Sequence, residues 1–484
     1  MGLYTSREVL AQLGVSDFGI YNVVGGVIVL FSFIQGAMNS ATSRFFTFDL
    51  GKGDFEQLRK TFSLSILIHI FTALLIFILG ETVGLWFLNT QLVIPEERMA
   101  AANFVYQFTV FTACVGILQV PYIVAITAHE RMKVFAYAGI ADAVFKLAVV
   151  LALGFAPFDK LKFYSVLLFG VFVVMNGFYY VYCRRNFKEI RFEWFWNRNM
   201  FLERMKFSGW TTLGGVSSVA ALQGVNMLLN MFHGVVANAA YGVMSQVSSA
   251  MTQFANNFFA AVNPQITKSY AKGDMDYLHS LLFRSIKFSF LISFALAVPL
   301  VLNMDFVLHL WLKTVPEYAV VFCQIRVVDW CLCMFFIPIA LAITATGKIK
   351  RFLIIDSILT MNNLIFVYIL FKLNFSPAIV PIVYLTVNIV RIINIFFLAK
   401  PIINFKILMF ISKILLRILV LSVICLPLPI FISYHLENIR NLLVTSLCFL
   451  MIFIPSTYYL VLEKEEKTFV LKSILSKISS VKGV

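Results

Sequence analysis

Residues 61–88 read TFSLSILIHIFTALLIFILGETVGLWFL, with Glu81 the single acid. About 20 apolar residues in a helix suffice to cross a hydrocarbon layer roughly 30 Å thick, and this run exceeds that length. Runs of the same kind recur from end to end. Full spans are predicted over 19–42, 61–88, 102–127, 134–156, 163–183, 207–232, 234–262, 283–303, 318–346, 352–372, 376–400, 412–433 and 441–462, after a partial first span in residues 1–13. Of the 484 residues, 60% are apolar and only 13% are charged, and the mean hydropathy is +0.88. Soluble domains carry about 25% charged residues, so most of this chain cannot face water. Strand-type alternation is missing, which argues against a membrane β-barrel. Backbone groups in lipid must bond within their own segment, so the runs form a helical bundle. The predicted fold is an all-α polytopic membrane protein with thirteen full spans and a partial first one. Pro121, Pro264, Pro299, Pro338 and the pairs Gly25-Gly26 and Gly214-Gly215 interrupt the spans, as in the broken helices of transporters.

The formal net charge is +15, and its placement carries more meaning than its size. With a cytoplasmic start, about 29 Lys and Arg fall in cytoplasmic loops and the tail and about six in external loops, which obeys the positive-inside rule. Nucleic acid is not an expected partner, because the basic residues are dispersed between spans and not gathered on one patch. The cysteines, Cys114, Cys183, Cys323, Cys331, Cys333, Cys425 and Cys448, fit no zinc or redox spacing and read as small packing residues. No metal and no cofactor are expected. His129-Glu130 lacks the second His of a metalloprotease, and neither a GxSxG elbow nor a phosphate-cradling glycine loop is present. The expectation is a transporter and not an enzyme.

An internal duplication organises the chain. Residues 14–21 (GVSDFGIY) align with 234–241 (GVVANAAY) at an offset of 220, and Lys52-Gly53-Asp54 falls on Lys272-Gly273-Asp274 at the same offset. Leu85-Trp86-Phe87-Leu88 resembles Leu310-Trp311-Leu312-Lys313, and Pro121 with Ala125-Ile126-Thr127-Ala128 matches Pro338 with Ala342-Ile343-Thr344-Ala345. Four matches in one order mark a repeat. Each unit holds six spans, so both have one orientation and form two parallel six-helix lobes, followed by two extra C-terminal helices. The resulting organisation is an N-lobe over 1–183, a basic aromatic linker over 184–206, a C-lobe over 207–400, two further helices over 401–462 and a basic cytoplasmic tail over 463–484. The linker reads as an interfacial segment against the anionic inner leaflet.

Ionisable residues inside spans are costly and are functional candidates by default. Arg7, Arg326 and Arg391 lie within spans and Arg44 at a span end. Guanidinium forks on a shared lumen suit phosphate or pyrophosphate oxygens. The structural alternative pairs Arg326 with Asp329, and Arg7 with Glu8 or Asp17. Asp142 and Lys146 are spaced i, i+4, which gives a local ion pair by default and a proton or sodium relay as the functional alternative. Amide stripes at helical spacing, Gln35 with Asn39 (and Ser32), Gln223 with Asn226 and Asn230, and Gln246 with Gln253 and Asn257, read either as interhelical glue or as the wall of a wet lumen able to bond sugar hydroxyls.

The run Leu3-Tyr4-Thr5-Ser6-Arg7, then Leu13-Gly14-Val15 and 17–26 (DFGIYNVVGG), resembles the N-terminal signature of bacterial polysaccharide (O-antigen type) repeat-unit flippases. These belong to the superfamily of multidrug, oligosaccharidyl-lipid and polysaccharide exporters. The likeness continues through 36–45 (GAMNSATSRF) to Gly51-Lys52-Gly53-Asp54. It implies fourteen spans, alternating access, and export of an isoprenyl-pyrophosphate-linked oligosaccharide across the bacterial inner membrane, with Arg7 and Arg44 where pyrophosphate-binding residues are expected. The partners it implies are the lipid-linked oligosaccharide, membrane lipids, a coupling proton or sodium ion, and a polysaccharide polymerase with its chain-length regulator. A drug exporter of the same superfamily and a membrane polymerase or ligase are the competing readings. The second would need a long external loop with catalytic Arg or His, and the external loops are short.

Shifting span 207–232 back by the repeat offset of 220 starts it about a dozen residues before Met1. The first helix is therefore expected to be incomplete as it stands: either the chain begins upstream or its first span is unusually short. N-terminal sequencing of the native protein distinguishes the two, extra residues supporting an upstream start and stop codons directly upstream of an active product contradicting it.

Overall fold

The computed structural model describes residues 32–468 apart from 91–93, 156–158, 313–314 and 437, together with Val9, Gln12, Leu13, Asp17, Ile20, Tyr21 and Val24. Among the described residues every regular element is helical. The long helices are α1 (Ser32–Lys52), α2 (Phe55–Thr90), α3 (Glu96–Ala128), α4 (Met132–Phe155), α5 (Lys160–Asn186), α6 (Arg198–Gly234), α7 (235–271), α8 (Met275–Leu302), α9 (Ala319–Thr346), α10 (Lys350–Lys372), α11 (Ile379–Ile403), α12 (Ile407–Ser433) and α13 (Asn438–Val461). Among the described residues, eleven of these are long and apolar enough to cross a membrane. The chain is a multi-pass membrane protein. Its helices α6 and α7 are continuous except at Gly234, whose φ of 74° breaks the helix. An L side chain resists that conformation and glycine does not.

Helix α2 shows how the spans sort their faces. Leu64, Ile68 and Ile76 are buried, whereas Ile70, Leu74 and Ile78 are exposed at a spacing of four. A lateral apolar stripe of this kind suits hydrocarbon and would be penalised in water. The same helix contains a π turn at Gly80–Gly84. Tyr106 of α3 donates its hydroxyl to the Gly80 carbonyl at 2.6 Å, and a Cβ at Gly84 would collide with that hydroxyl.

The chain divides into two compact units. The first comprises 1–216, 260–274 and 349–354; the second comprises 217–259, 275–348 and 355–484. In the first unit, Phe46, Leu58, Phe62, Val124 and Cys183 form one core and Val105, Tyr106, Val150 and Leu161 another. The duplicated Lys-Gly-Asp turns are geometrically alike. Gly53 and Gly273 have φ of 73° and 75°, and the chain closes by Asp54 N–H to Asp49 O at 3.2 Å and Asp274 N–H to Ser269 O at 3.1 Å. Gly51 lies so close to its neighbour that a Cβ would come 2.8 Å from Lys268 Cα. The aromatic segment before α6 and the first turns of α6 pack in part: Phe195, Met200, Phe201 and Met205 lie against Met38, Leu64 and Ile68, while Trp194 and Trp196 remain exposed.

In the second unit, α9 packs between α8 and α11 through Phe322, Val327, Met334 and Ile339. Phe290, Phe294, Phe335, Phe449 and Phe453 bring α8, α9 and α13 together ring on ring. A buried ion pair, Lys287 Nζ to Glu466 Oε2 at 2.5 Å, fastens the residues after α13 onto α8.

Arg98, in the first turn of α3, bridges two carboxylates in the first unit. It binds Asp17 at 2.5 Å and Asp159 at 2.9 Å. Asp159 caps α5 by accepting N–H bonds from Leu161 and Lys162. Burial pushes its pKa up, but the bonds from Arg98 and these N–H groups outweigh it and hold the carboxylate below its ordinary range. A depressed carboxylate contributes stability above its unfolded pKa of about 3.9, and the contribution is lost as pH falls through the folded value. Asp159→Asn should therefore lower the melting temperature near neutrality, with the gap to wild type closing below about pH 4. A gap that persists unchanged at pH 3 in parallel melts would contradict this.

Candidate functional site

The second unit encloses a cavity of about 580 Å³. Helical periodicity brings its wall together. From α7 come Ser245, Ser248, Ser249, Thr252, Gln253 and Asn256, residues recurring every three or four positions. Arg326, Asp329 and Cys333 form one face of α9; Tyr384, Asn388 and Arg391 form one face of α11; Thr360 and Asn363 come from α10.

Two guanidinium–carboxylate pairs sit in this wall. Arg326 is paired with Asp329 three residues on, and its Nε donates to Ser248 Oγ at 3.0 Å. Arg391 grips Asp356 of α10 with two bonds, Nε to Oδ1 at 2.7 Å and Nη2 to Oδ2 at 3.0 Å. Asn388 links the pairs to the packing of α11, donating to Asp329 Oδ1 at 2.7 Å. The side chain of Asp329 is only 2% exposed. Rings complete the setting, with Arg326 over Tyr384 and Arg391 over Phe336, an arrangement that favours the delocalised guanidinium.

Of the four arginines expected on one lumen, Arg326 and Arg391 share this cavity. Arg44 belongs to the first unit, and Arg7 lies outside the described residues. Arg44 lies over Phe45 at 4.5 Å and Phe48 at 5.1 Å, with Glu203 3.9 Å away. Arg204, which the sequence did not single out, also lies over Phe45, at 4.6 Å. Its Nη2 donates to Thr61 Oγ1 at 2.8 Å, and Thr61 donates to buried Asp49 at 2.5 Å. Asp17, the alternative partner of Arg7, binds Arg98.

The amide stripes separate. Gln253 lines the cavity and donates to Asn257 Oδ1 at 3.1 Å. Asn226 accepts from Asn238 Nδ2 at 2.7 Å, which makes it glue between α6 and α7. Gln223, Asn230 and Gln246 are exposed and do not line the cavity. Gln35 and Asn39 are exposed on α1 in the first unit, the Gln35 amide near Gly116. Asp142 and Lys146 form a partly exposed i, i+4 pair at 2.7 Å. The hydroxyls of α7 and Asn363, Tyr384 and Asn388 were not singled out by the sequence. Ser and Thr at helical spacing over 245–252 are the one signal that pointed to them.

No protein-family model matches the sequence, and no curated protein matches it at a significant level. Solved structures do match. An outward-facing multidrug resistance transporter of the MATE family, in the MOP superfamily, superposes with a TM-score of 0.72 at 15% identity, over 83% of this chain and 91% of that one. A MOP-superfamily transporter from Pyrococcus furiosus, described as having a binding pocket of reverse polarity, gives 0.70 at 15% identity over the same shares. A MATE transporter variant from Vibrio cholerae gives 0.68 at 16% identity, again over 83% and 91%.

The fold is that of the MOP-superfamily transporters. Within that fold the ion pair on α10 and α11 has a measurable signature. Removing one member strands a charge at a partly buried position, at a cost of at most about 3–5 kcal/mol. Arg391→Ala or Asp356→Ala alone should lower the melting temperature markedly, while the double variant recovers most of the loss. Losses that simply add would show that the pair is not coupled.

Proposed function

We propose that the chain is an exporter that flips an isoprenyl-pyrophosphate-linked oligosaccharide from the cytoplasmic to the outer leaflet of the bacterial inner membrane, for surface polysaccharide synthesis. The observation that carries this reading is the cavity of the second unit, walled by hydroxyls and amides inside a bundle of membrane-spanning helices. A sugar-pyrophosphate headgroup cannot cross hydrocarbon unaided, because its hydroxyls and charges would lose their hydration. A polar wall substitutes for water, and the isoprenyl tail stays in lipid. Alternating access by rocking of repeats is the mode of this fold class. The resemblance of residues 3–54 to polysaccharide flippases points the same way. In the first unit, Arg44 and Arg204 lie together over Phe45 beside Asp49 and Glu203, and guanidiniums are suited to pyrophosphate oxygens.

The names of the solved neighbours favour a second reading, drug export. A cationic drug needs a carboxylate with charge to spare. In this cavity Asp329 and Asp356 are each bound to a guanidinium, which weighs against that cargo.

A strain lacking the chain should lose surface polysaccharide, and Arg44→Ala should fail to restore it although the protein inserts in the membrane. Full restoration by Arg44→Ala would remove Arg44 from the site. Drug hypersensitivity with normal polysaccharide in the deletion strain would favour drug export.

A further inference from the structure

The hydrogen-bond directions in the cavity restrict what it can hold. Thr252 donates its hydroxyl proton to Ser248 O and Ser249 donates to Ser245 O, both at 2.8 Å. A hydroxyl has one proton, so each turns only lone pairs outward. The Gln253 amide donates to Asn257, the Asn363 amide to Thr360 O at 3.0 Å, and the Asn388 amide to Asp329. The last two bonds, to a carbonyl and to a carboxylate, fix which end of the Asn363 and Asn388 amides carries oxygen. Tyr241 donates to Leu222 O at 3.1 Å, so the 3.2 Å contact between hydroxyls is Tyr384 donating to Tyr241. The Ser249 and Thr252 hydroxyls have spent their protons on the helix, and the buried Oδ1 atoms of Asn363 and Asn388 accept no hydrogen bond among the described residues, so the wall offers free acceptors.

Such a wall could serve a cation or a neutral polyol. The carboxylates decide between them: Asp329 and Asp356 are both committed to arginines, so the site has no spare negative charge. It is equally unsuited to a phosphate, which would have to take Arg326 from Asp329 and leave that carboxylate buried alone. We infer that the cavity of the second unit binds the sugar part of the cargo, with sugar hydroxyls donating to Thr252, Ser249 and Gln253, and excludes its pyrophosphate. This assignment rests on the oligosaccharide reading above and divides the cargo, leaving the anionic part to be held elsewhere. Arg326 and Arg391 then act as positioning residues that hold α9, α10 and α11 around the sugar.

Calorimetry on the full chain in nanodiscs tests this with neutral di- and trisaccharides of N-acetylglucosamine, galactose and rhamnose, and separately with inorganic pyrophosphate. At least one neutral saccharide should bind, pyrophosphate should not compete with it, and Thr252→Val with Gln253→Leu should weaken it roughly ten-fold for each lost bond of ordinary strength. Thermal melts confirm that these near-isosteric variants fold; if either does not, Ser249→Ala takes its place. Pyrophosphate binding that Arg326→Gln abolishes, or pyrophosphate binding without any saccharide binding, overturns the inference and leaves the export reading standing. Saccharide binding that these variants leave unchanged likewise overturns it. A chain that binds neither probe at millimolar concentration overturns both.

Discussion

A guanidinium within a hydrocarbon layer must be neutralised or hydrated, and the second unit depends on how it meets that demand. Arg326 and Arg391 each find a carboxylate, and the two pairs run through α9, α10 and α11 with Asn388 between them. Breaking a buried pair is far more costly than its net contribution to stability, so the pairs act as a fixed reference for three helices. They are better at specifying an arrangement than at strengthening it.

Function follows from what the pairs leave over. The acceptors on α7 and the saturated arginines make a wall that is polar yet close to neutral. A transporter has to bind its cargo well enough to replace water and weakly enough to release it. Neutral hydrogen bonds of modest net strength meet that requirement better than a bare charge would. The first unit is different in kind. Its two arginines share one aromatic ring, Phe45, beside Thr61, Asp49 and Glu203.

Much of the fold was legible in the sequence because a bilayer imposes length and polarity on every span. Eleven long helices fall where apolar runs stand, and Gly53 and Gly273 turn alike because the same three residues recur. The α6–α7 break at Gly234 was legible as well, since only a glycine sits comfortably at that φ. The site was less legible. Spacing puts Gln246, Gln253 and Asn257 on one face of α7, but of these only Gln253 lines the cavity, whose face runs through Ser245, Ser249, Thr252 and Asn256. A shift of one residue rotates a helix face by about 100°, and spacing within one helix does not say which face its neighbours enclose. Arg391 and Asp356 stand 35 residues apart on different helices, so no local pattern announces their pairing. The pair of Arg326 and Asp329, three residues apart, was visible as one of two alternatives, and the structure shows that pairing, with the arginine also at the cavity wall.

The most direct measurement is translocation itself, in proteoliposomes containing the full chain and an isoprenyl-pyrophosphate-linked oligosaccharide, followed by access of a membrane-impermeant glycosidase to the sugar. The account predicts that the chain moves the sugar between leaflets at a rate well above protein-free vesicles, and that a free neutral saccharide slows it. A correctly folded chain that leaves the sugar on its original leaflet, while moving cationic drugs, would contradict it.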